Sequence, residues 1–473
     1  MLNIIPAPKS RSTNDESLAI TSSSKIKTSD NTQVVAIARM FAEHVQKEAE
    51  INLEFDNTGV IEFSLADDKN FGEDGYELSI TSSGLILCAN QPAGLFYGVQ
   101  TLRQLFSTPQ NGTLSLPAVS ISDSPRFTWR GAMLDVARHF FCMDDVKRYI
   151  DLISHYKMNR LHLHLTDDQG WRIEIKSWPD LTEHGANTQV NGGGGGFYTQ
   201  EQYREIVDYA QSRYVTIIPE IDTPGHTNAA LASYPELNVS EEAPDLYEGT
   251  EVGFSTLGIN MEVTYKFLDD VVRELAAITP GPYIHIGGDE AKSTPEEDYK
   301  IFIKRMQEIV IAHNKIPVGW AEIGEAELDS QTIAQHWFGA AYQGAKEQGC
   351  KIILSPANKT YLDMKYDASS PLGLDWVGYI SVKDSYDWEP GSYMEKLDES
   401  DILGLEAPIW TETLLRMKDI EFLAFPRLPG LAELAWSPKG RNWKEYKARL
   451  AKHGRHMEML DINFFKSPDV DWV

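Results

Sequence analysis

Short apolar runs alternate with amphipathic segments along most of the chain after residue 127. Eight runs have the length and composition of buried strands: residues 128–135, 160–166, 216–221, 283–286, 317–320, 332–337, 351–354 and 402–409. Apolar residues at helical spacing mark five segments between them, at 144–157, 199–213, 262–278, 295–313 and 340–348. Repeated alternation of strand and helix with eight strands predicts an α/β fold, a (β/α)8 TIM barrel with a parallel sheet.

Two later segments depart from this alternation. Residues 361–400 are rich in Asp, Ser, Pro and Gly and indicate a long loop in place of the seventh crossover helix; such loops are usually functional. Residues 419–436 predict an eighth helix broken at Pro426 and Pro429. Residues 443–459 predict a C-terminal helix packed on the outside of the barrel.

The first 122 residues show a different pattern. A Ser/Thr/Lys-rich stretch at 10–32 has little to bury, and helices are predicted at 34–48 and 93–106. Alternating runs at 51–55, 60–65, 76–80 and 85–88 favour a small antiparallel sheet, hence a small α+β domain that acts as a scaffold. We expect three units: the α+β domain at 1–122, the barrel at 123–440, and a C-terminal helix and tail at 441–473.

Charged or aromatic residues stand at the end of every predicted barrel strand, where barrel enzymes carry their catalytic groups. The fourth strand ends in two glycines and an acidic pair, which alone could equally begin a loop or cap the next helix. The first four ends carry Asp135, Arg138, Asp167, Asp168, Glu220, Asp222, His226, Asp289 and Glu290, and the last four carry Trp320, Trp337, Tyr361, Asp363, Trp410 and Glu412. Rings beside carboxylates and an arginine suit a sugar, which stacks on indole and offers hydroxyls for hydrogen bonds.

The adjacency of Asp289 and Glu290 bears on mechanism. A typical glycosidase places two carboxyl groups roughly 5–5.5 Å apart for retention or roughly 6.5–9.5 Å apart for inversion, across one bond. Neighbours at a strand end diverge in direction, so one should be the general acid and the other should act elsewhere. A 2-acetamido group on the substrate could then supply the nucleophile.

A metal site is an alternative interpretation. His162 and His164 lie two residues apart on one strand, so their side chains face the same way and resemble a divalent metal site. That arrangement would suit a metal-dependent amidohydrolase. We expect no metal, because His226 and His336 are the only other histidines at strand ends and no later end completes a ligand set.

Composition restricts the partners. Lys+Arg 43 against Asp+Glu 70 gives a net charge of −27, which repels nucleic acid and anionic membranes. No run approaches the roughly 20 apolar residues of a membrane span, and the start lacks a signal pattern, so we expect a cytoplasmic protein. Its three cysteines fit reduced thiols. A homodimer is possible, and no cofactor is expected.

Five motifs at these strand ends together resemble glycoside hydrolase family 20, the β-N-acetylhexosaminidases. They are His285-Ile-Gly-Gly-Asp289-Glu290, Asp135-Val-Ala-Arg138-His-Phe, His164-Leu-Thr-Asp167-Asp168-Gln-Gly-Trp171-Arg, Pro219-Glu-Ile-Asp222-Thr-Pro-Gly-His226 and Trp410-Thr-Glu412. The resemblance covers about residues 1–440, including the small domain before the barrel. It implies substrate-assisted catalysis, which the adjacency of Asp289 and Glu290 makes plausible.

The resemblance also implies a role for each catalytic residue. Glu290 resembles the general acid that later acts as base, and Asp289 the group that holds the acetamido nitrogen. Asp167 and His226 resemble the residues behind Glu290 that tune it.

Substrate-binding roles follow from the same resemblance. Arg138 would bind the C3 and C4 hydroxyls of the sugar, and Glu412 the hydroxyls at the far side. Tyr361 and Asp363 would contact the carbonyl and nitrogen of the acetamido group. Three rings would enclose the acetamido methyl and form the floor under the sugar: Trp320, Trp337 and Trp410.

We therefore expect an exo-acting, retaining β-N-acetylhexosaminidase that removes terminal N-acetylglucosamine, and N-acetylgalactosamine, from a small oligosaccharide or glycoconjugate through an oxazolinium intermediate. The alternatives are a carbohydrate-binding barrel without catalysis and the metal-dependent amidohydrolase. Five consecutive glycines at 192–196 depart from the family pattern and leave the leaving-group preference open.

Overall fold

The structure, a computed structural model, describes residues 2–66 and 71–473; Met1 and residues 67–70 of the predicted N-terminal unit lie outside the described residues. The N-terminal strands are β1 (Ser10–Ile20), β2 (Lys25–Thr28), β3 (Glu54–Phe55), β4 (Ile61–Leu65), β5 (Tyr76–Thr81), β6 (Gly84–Ala89) and β7 (Leu114–Asp123). Two helices, α1 (Thr32–Ala49) and α2 (Pro92–Gln104), accompany them. The strands form one sheet in the order β1-β7-β5-β6-β4-β2-β3.

This sheet is mixed, so the prediction of an antiparallel sheet was wrong. The pairs along β1, β7, β5 and β6 are antiparallel, whereas those along β6, β4, β2 and β3 are parallel. The Ser/Thr/Lys-rich stretch forms β1 and β2. The first eight residues of β1 are exposed because the strand lies at the edge of the sheet, and the apolar alternation of a half-buried strand is therefore missing there.

The eight predicted barrel strands are confirmed, each within two residues of its predicted limits. The strands of this region are β8 (Trp129–Asp135), β9 (Arg160–His164), β10 (Thr166–Asp167), β11 (Gly170–Trp171), β12 (Thr216–Glu220), β13 (Tyr283–His285), β14 (Ile316–Trp320), β15 (Ile333–His336), β16 (Lys351–Leu354) and β17 (Ile402–Ile409). The short strands β10 and β11 form a separate hairpin, and the other eight close a barrel in which β17 pairs with β8. All pairs around the barrel are parallel.

Helices cover the outside of the barrel, and the long ones match the predicted segments. They are α3 (Met143–His155), α4 (Asp180–Glu183), α5 (Gln200–Gln211), α6 (Asn228–Ser233), α7 (Glu262–Ile278), α8 (Glu296–Ala312), α9 (Tyr342–Glu347), α10 (Ala357–Thr360), α11 (Val382–Tyr386), α12 (Pro390–Tyr393), α13 (Met417–Ala424), α14 (Arg427–Trp436) and α15 (Trp443–Met459). The predicted loop at 361–400 contains the short helices α11 and α12. The break falls at Pro426, between α13 and α14, whereas Pro429 lies in the first turn of α14, where proline is tolerated.

Trp436 at the end of α14 joins the barrel to the N-terminal sheet. Its ring packs in the N-terminal core, 5.3 Å from the ring of Tyr97. Its Nε1 donates to both carboxylate oxygens of Asp123 at 3.0 Å, and Lys157 Nζ lies 3.0 Å from Asp123 Oδ2. This buried contact joins the two domains. None of its residues is a predicted catalytic residue, so its role is structural.

Among the described helices, none has the length and apolar character needed to cross a membrane. The three cysteines, Cys88, Cys142 and Cys350, are free thiols.

Candidate active site

A cavity of about 250 Å³ opens among the residues that follow the barrel strands. Its lining comes from loops after six of the strands: Arg138, Thr250, Val252, Asp289, Glu290, Trp337, Tyr361, Asp363, Leu374, Trp376, Trp410 and Glu412. A larger cavity of about 1220 Å³ lies between the N-terminal sheet and the barrel, but the charged strand-end residues do not converge there. The smaller cavity is therefore the candidate active site.

The chain turns sharply after β13, just before the two adjacent carboxylates. Gly287 and Gly288 have φ angles of 71° and 101°, and a Cβ on Gly287 would lie 1.7 Å from Asp222 Oδ1. Glu290 and His226 also adopt positive φ angles, 49° and 55°. Non-glycine residues in this conformation are strained and cluster at functional sites. The strain falls on the predicted acid and on the predicted histidine behind it.

Asp289 and Glu290 have different surroundings. Asp289 is buried, whereas Glu290 is partly exposed and its Oε1 lies 3.3 Å from Lys292 Nζ. His226 Nε2 lies 3.7 Å from Asp289 Oδ2 and 3.9 Å from Glu290 Oε2, and its Nδ1 lies 3.1 Å from Asp167 Oδ1. The structure thus brings the four predicted catalytic side chains together.

Burial and neighbouring charges change the protonation of this group. Burial raises the pKa of Asp289 to about 6. Burial also raises the pKa of Asp222 well above its usual value, as does the charge of Asp289. Burial alone would lower the pKa of His226, but the charge of Asp167 raises it well above its usual value. The carboxylates around His226 therefore favour its protonated form, and its ring faces both members of the acidic pair.

Arg138 is held on three sides at the edge of the cavity. Its Nη2 lies 2.8 Å from Asp167 Oδ2, its Nη1 lies 3.6 Å from Asp135 Oδ2, and its guanidinium stacks 4.8 Å above the ring of Trp410. Glu412 is also within the cavity lining, and burial raises its pKa. The predicted pair for sugar hydroxyls, Arg138 and Glu412, therefore borders one cavity.

Aromatic rings form the opposite wall. The rings of Trp337 and Tyr361 lie 6.4 Å apart at an interplanar angle of 14°, and Tyr361 lies 6.2 Å from Trp410. Trp320 lies behind them, 1% exposed, with its ring 5.8 Å from that of Trp410. Asp363 Oδ1 accepts a hydrogen bond from the backbone N–H of Trp410 at 3.3 Å. The four predicted aromatic residues thus form one cluster.

Several buried polar atoms of these residues have no hydrogen-bond partner in the described part of the chain. They are Arg138 Nε, Asp222 Oδ2, His226 Nε2, Asp289 Oδ1, Asp363 Oδ2 and Glu412 Oε2. Buried polar groups are normally paired, so such a concentration in one place indicates a site for a polar ligand. Aromatic walls with convergent donors and acceptors suit a carbohydrate.

The sequence predicted that no set of metal ligands would be complete, and the positions of the donor atoms contradict this. Four groups of three donors lie close enough to hold a cation: His162, Glu220 and His285; His164, Asp167 and Asp222; Asp167, Asp168 and His226; Asp222, His226 and Asp289. His285, the last residue of β13, was not among the predicted metal-ligand candidates.

The chemistry of these donors nevertheless favours a hydrogen-bonded network. Both ring nitrogens of His162 and of His164 lie within hydrogen-bond reach of carboxylates. Burial alone would lower their pKa values, but Glu220 and a second carboxylate raise that of His162 to about 9 and that of His164 to about 10. Each of the four groups contains one of these two histidines or His226. A metal would have to displace the proton from that imidazole in order to bind.

Four further residues contact the site, and the sequence analysis assigned them no role. Glu220 and Asp222 were seen as polar residues at a strand end. Glu322 follows Trp320 by two residues, and its oxygens accept hydrogen bonds from Trp337 Nε1 at 3.0 and 3.1 Å. Trp376 is half exposed in the loop at 361–400 and adds a ring 6.0 Å from Trp337. The one sequence signal for Trp376 was its position in a long loop, since such loops are usually functional.

The glycine tract at 192–196 lies beside the cavity and does not line it. Arg172 holds the tract through hydrogen bonds to the carbonyls of Gly196 and Ala186 at 3.2 and 3.1 Å. Val190, which precedes the tract, donates its N–H to the carbonyl of Arg138 at 2.9 Å.

Known proteins share both the sequence and the fold. The catalytic-domain model of glycosyl hydrolase family 20 matches residues 127–439, and the model of domain 2 of that family matches residues 1–124. A β-N-acetylhexosaminidase from Cellulomonas fimi is 42% identical over 418 residues, which cover 87% of this chain and 84% of the relative.

Two solved structures show the same architecture. The N-acetyl-β-hexosaminidase of Streptomyces plicatus in complex with Thio-NAglucal superposes with a TM-score of 0.97 at 46% identity, covering 100% of this chain and 98% of its own. An exo β-N-acetylglucosaminidase from Vibrio harveyi in complex with N-acetylglucosamine gives a TM-score of 0.89 at 31% identity, covering 98% of this chain and 78% of its own. The chain therefore belongs to glycosyl hydrolase family 20, the β-N-acetylhexosaminidases.

Proposed function

We propose that the chain is an exo-acting, retaining enzyme that removes terminal N-acetylglucosamine, and N-acetylgalactosamine, with the acetamido group of the substrate as nucleophile. The observation that carries the proposal is the pairing of one partly exposed carboxyl group, Glu290, with one buried neighbour, Asp289, opposite an aromatic wall. The solved relatives in complex with N-acetylglucosamine support this choice of sugar.

In this mechanism Glu290 donates its proton to the glycosidic oxygen as the bond to the anomeric carbon breaks. The acetamido oxygen attacks the same carbon from the other face and closes an oxazolinium ring. Water then opens the ring, and Glu290 accepts the proton of that water. Two inversions at one carbon give net retention, without an ester to the enzyme.

Asp289 binds and orients the acetamido N–H, which becomes more acidic as the oxygen attacks. A carboxylate with a pKa near 6 is ionised at neutral pH and stabilises the positive charge that develops on this group. Tyr361 and Asp363 contact the carbonyl and nitrogen side of the acetamido group, and Trp320, Trp337 and Trp410 enclose it. His226 and Asp167 hold Glu290 in place.

Arg138 and Glu412 bind the hydroxyls at the non-reducing side of the sugar. Arg138 is buried and Glu412 is partly buried, and each has a buried polar atom without a hydrogen-bond partner among the described residues. The contacts of Arg138 to Asp167 and Asp135 close that end. A cavity of about 250 Å³ with one closed end accommodates a single terminal residue, which supports exo action.

The decisive experiment measures release of the aryl group from aryl β-N-acetylglucosaminide, N-acetylgalactosaminide and β-glucoside. We expect turnover of the first two and almost none of the third, which lacks the nucleophile. A thiazoline mimic of the bicyclic intermediate should inhibit far more strongly than the product sugar. A catalytically inactive barrel would release nothing, and an amidohydrolase would lose activity with a chelator.

The limits of the units at 122/123 and 440/441 and the possible homodimer stay predictions. Limited proteolysis tests the first, and light scattering on the purified protein tests the second.

A further inference from the structure

Glu220 lies at the end of β12 below the cavity and contacts four ring nitrogens. Its Oε1 lies 2.9 Å from Trp320 Nε1 and 2.8 Å from His285 Nδ1. Its Oε2 lies 2.9 Å from His162 Nε2 and also bonds His164 Nδ1. Glu220 is 0% exposed, and a carboxylate buried to this degree requires such partners. The two oxygens therefore serve two separate sets of side chains.

The first oxygen fixes the aromatic side of the site. Trp320 has no exposed polar edge, because its indole N–H points down to Glu220 and its ring packs against Trp410 at 5.8 Å. His285 lies 5.1 Å from the ring of Trp320 and shares the same oxygen. The orientation of the Trp320 ring, and with it the wall behind the acetamido group, depends on this hydrogen bond.

The second oxygen leads to the acidic side through hydrogen bonds that run as far as His226. His164 Nε2 lies 2.8 Å from Asp167 Oδ2, and Asp167 Oδ1 lies 3.1 Å from His226 Nδ1. His226 Nε2 then faces Glu290 at 3.9 Å. The same Asp167 Oδ2 also holds Arg138 at 2.8 Å.

We propose that Glu220 is a positioning residue that couples the two sides of the site, holding Trp320 with one oxygen and the Asp167–His226–Glu290 series with the other through His164. This inference rests on the proposed function, since it concerns how the acid and the acetamido wall are kept in register. Burial alone would raise the pKa of Glu220, but the charges of His285, His164 and His162 hold it well below its usual value.

Two measurements separate the two sides. The ratio of kcat/KM for an activated aryl N-acetylglucosaminide to that for the unactivated disaccharide reports general acid assistance. The affinity for the thiazoline mimic relative to the product reports positioning of the acetamido group. Loss of a merely structural carboxylate would lower kcat/KM equally for both substrates, so that both measurements stay unchanged.

The contacts of each Glu220 oxygen, called a branch below, can be removed separately. Trp320→Phe keeps the ring and removes the donor to Glu220, so thiazoline affinity should fall about tenfold with the substrate ratio unchanged. His164→Asn keeps a donor near the Nδ1 position and loses the contact with Asp167, so the ratio should rise about tenfold with little change in thiazoline affinity. Glu220→Ala removes both acceptors, and we expect it to move both measurements.

Glu406 provides a matched control. It is also 0% exposed and bonds His162 at 2.8 Å, but its other contacts are Trp129 and Gln335 and neither branch passes through it. Glu406→Ala should lower stability and leave both measurements at the wild-type values. If it moves them as Glu220→Ala does, or if Glu220→Ala moves neither, the inference is overturned.

If Glu220→Ala does not fold, the two branch variants decide the question. Each must change its own measurement and not the other; equal changes in both would overturn the coupling by separate oxygens. A wild-type protein without turnover or thiazoline binding would instead refute the proposed function.

Discussion

The two halves of the barrel rim solve the same problem, holding side chains at fixed positions around a sugar, by different means. Strands β8 to β13 supply charged groups, and several of these are held by more than one polar contact; Asp167 alone contacts Arg138, His164 and His226. Strands β14 to β17 supply rings that stack on one another, and single indole N–H bonds set the orientation of two of them. The charged half is held mainly by polar contacts, whereas the aromatic half is held by ring packing and a few hydrogen bonds.

This difference predicts different consequences of substitution. Removing a charged group from the first half alters the chemistry of bond breaking and leaves other buried charges unpaired, which is costly. Removing an anchor in the second half should mainly loosen the fit to the acetamido group. The effects should therefore be larger, and more dependent on the leaving group, in the charged half.

The largest effect is expected for Glu290→Gln. General acid assistance supplies roughly 10²–10⁴-fold, so turnover of the unactivated disaccharide should fall by that factor. An aryl glycoside with a good leaving group needs less assistance and should lose much less. Steady-state kinetics on both substrates check this, and equal losses would show that Glu290 is not the acid.

Asp289→Asn should lower kcat by roughly 10²-fold, since it removes a charge that stabilises the transition state. Burial raises the pKa of Asp289 to about 6, so the wild-type enzyme loses the active carboxylate as the pH falls through 6. The acid limb of kcat/KM should therefore lie near pH 6 and vanish in the variant. An unchanged rate and pH profile would refute the division of labour within the pair.

The sequence predicted the barrel because strands buried on both faces appear as short, mostly apolar runs, as 351–354 and 402–409 do. The charged and aromatic residues that follow such runs supplied the eleven residues with predicted roles. The Glu220 network was not predicted, because inward-facing polar residues such as His162 and Glu406 find their partners only on closure of the barrel. The edge strand β1 was missed since an exposed strand has no apolar alternation.

The aromatic half can be tested with a substrate series. Replacing the N-acetyl group by N-fluoroacetyl and then N-trifluoroacetyl weakens the amide oxygen as a nucleophile while steric size changes little. The rate should fall stepwise across the series, measured with one aryl leaving group throughout. A flat response, or capture of a covalent ester on Asp289 or Glu290 by a 2-fluoro sugar, would restore an enzymic nucleophile.

The smallest effect concerns Glu322, the polar anchor of Trp337. Burial and then the charge of Asp289 raise its pKa from 4.5 to about 8. The folded protein thus binds a proton that the unfolded chain has released, and this contribution to stability is fully present below pH 4.5 and is lost as the pH rises through 8.

Glu322→Gln keeps a carbonyl acceptor for the indole N–H but cannot ionise. We expect its melting temperature to be similar to that of the wild type at pH 5 and roughly 1–3 °C higher at pH 9, with KM changed only a few-fold. Lys300→Gln, on the exposed face of α8, serves as a control that leaves the comparison at pH 9 unaltered. Equal melting temperatures of the wild type and Glu322→Gln across this pH range would show that Glu322 does not titrate there.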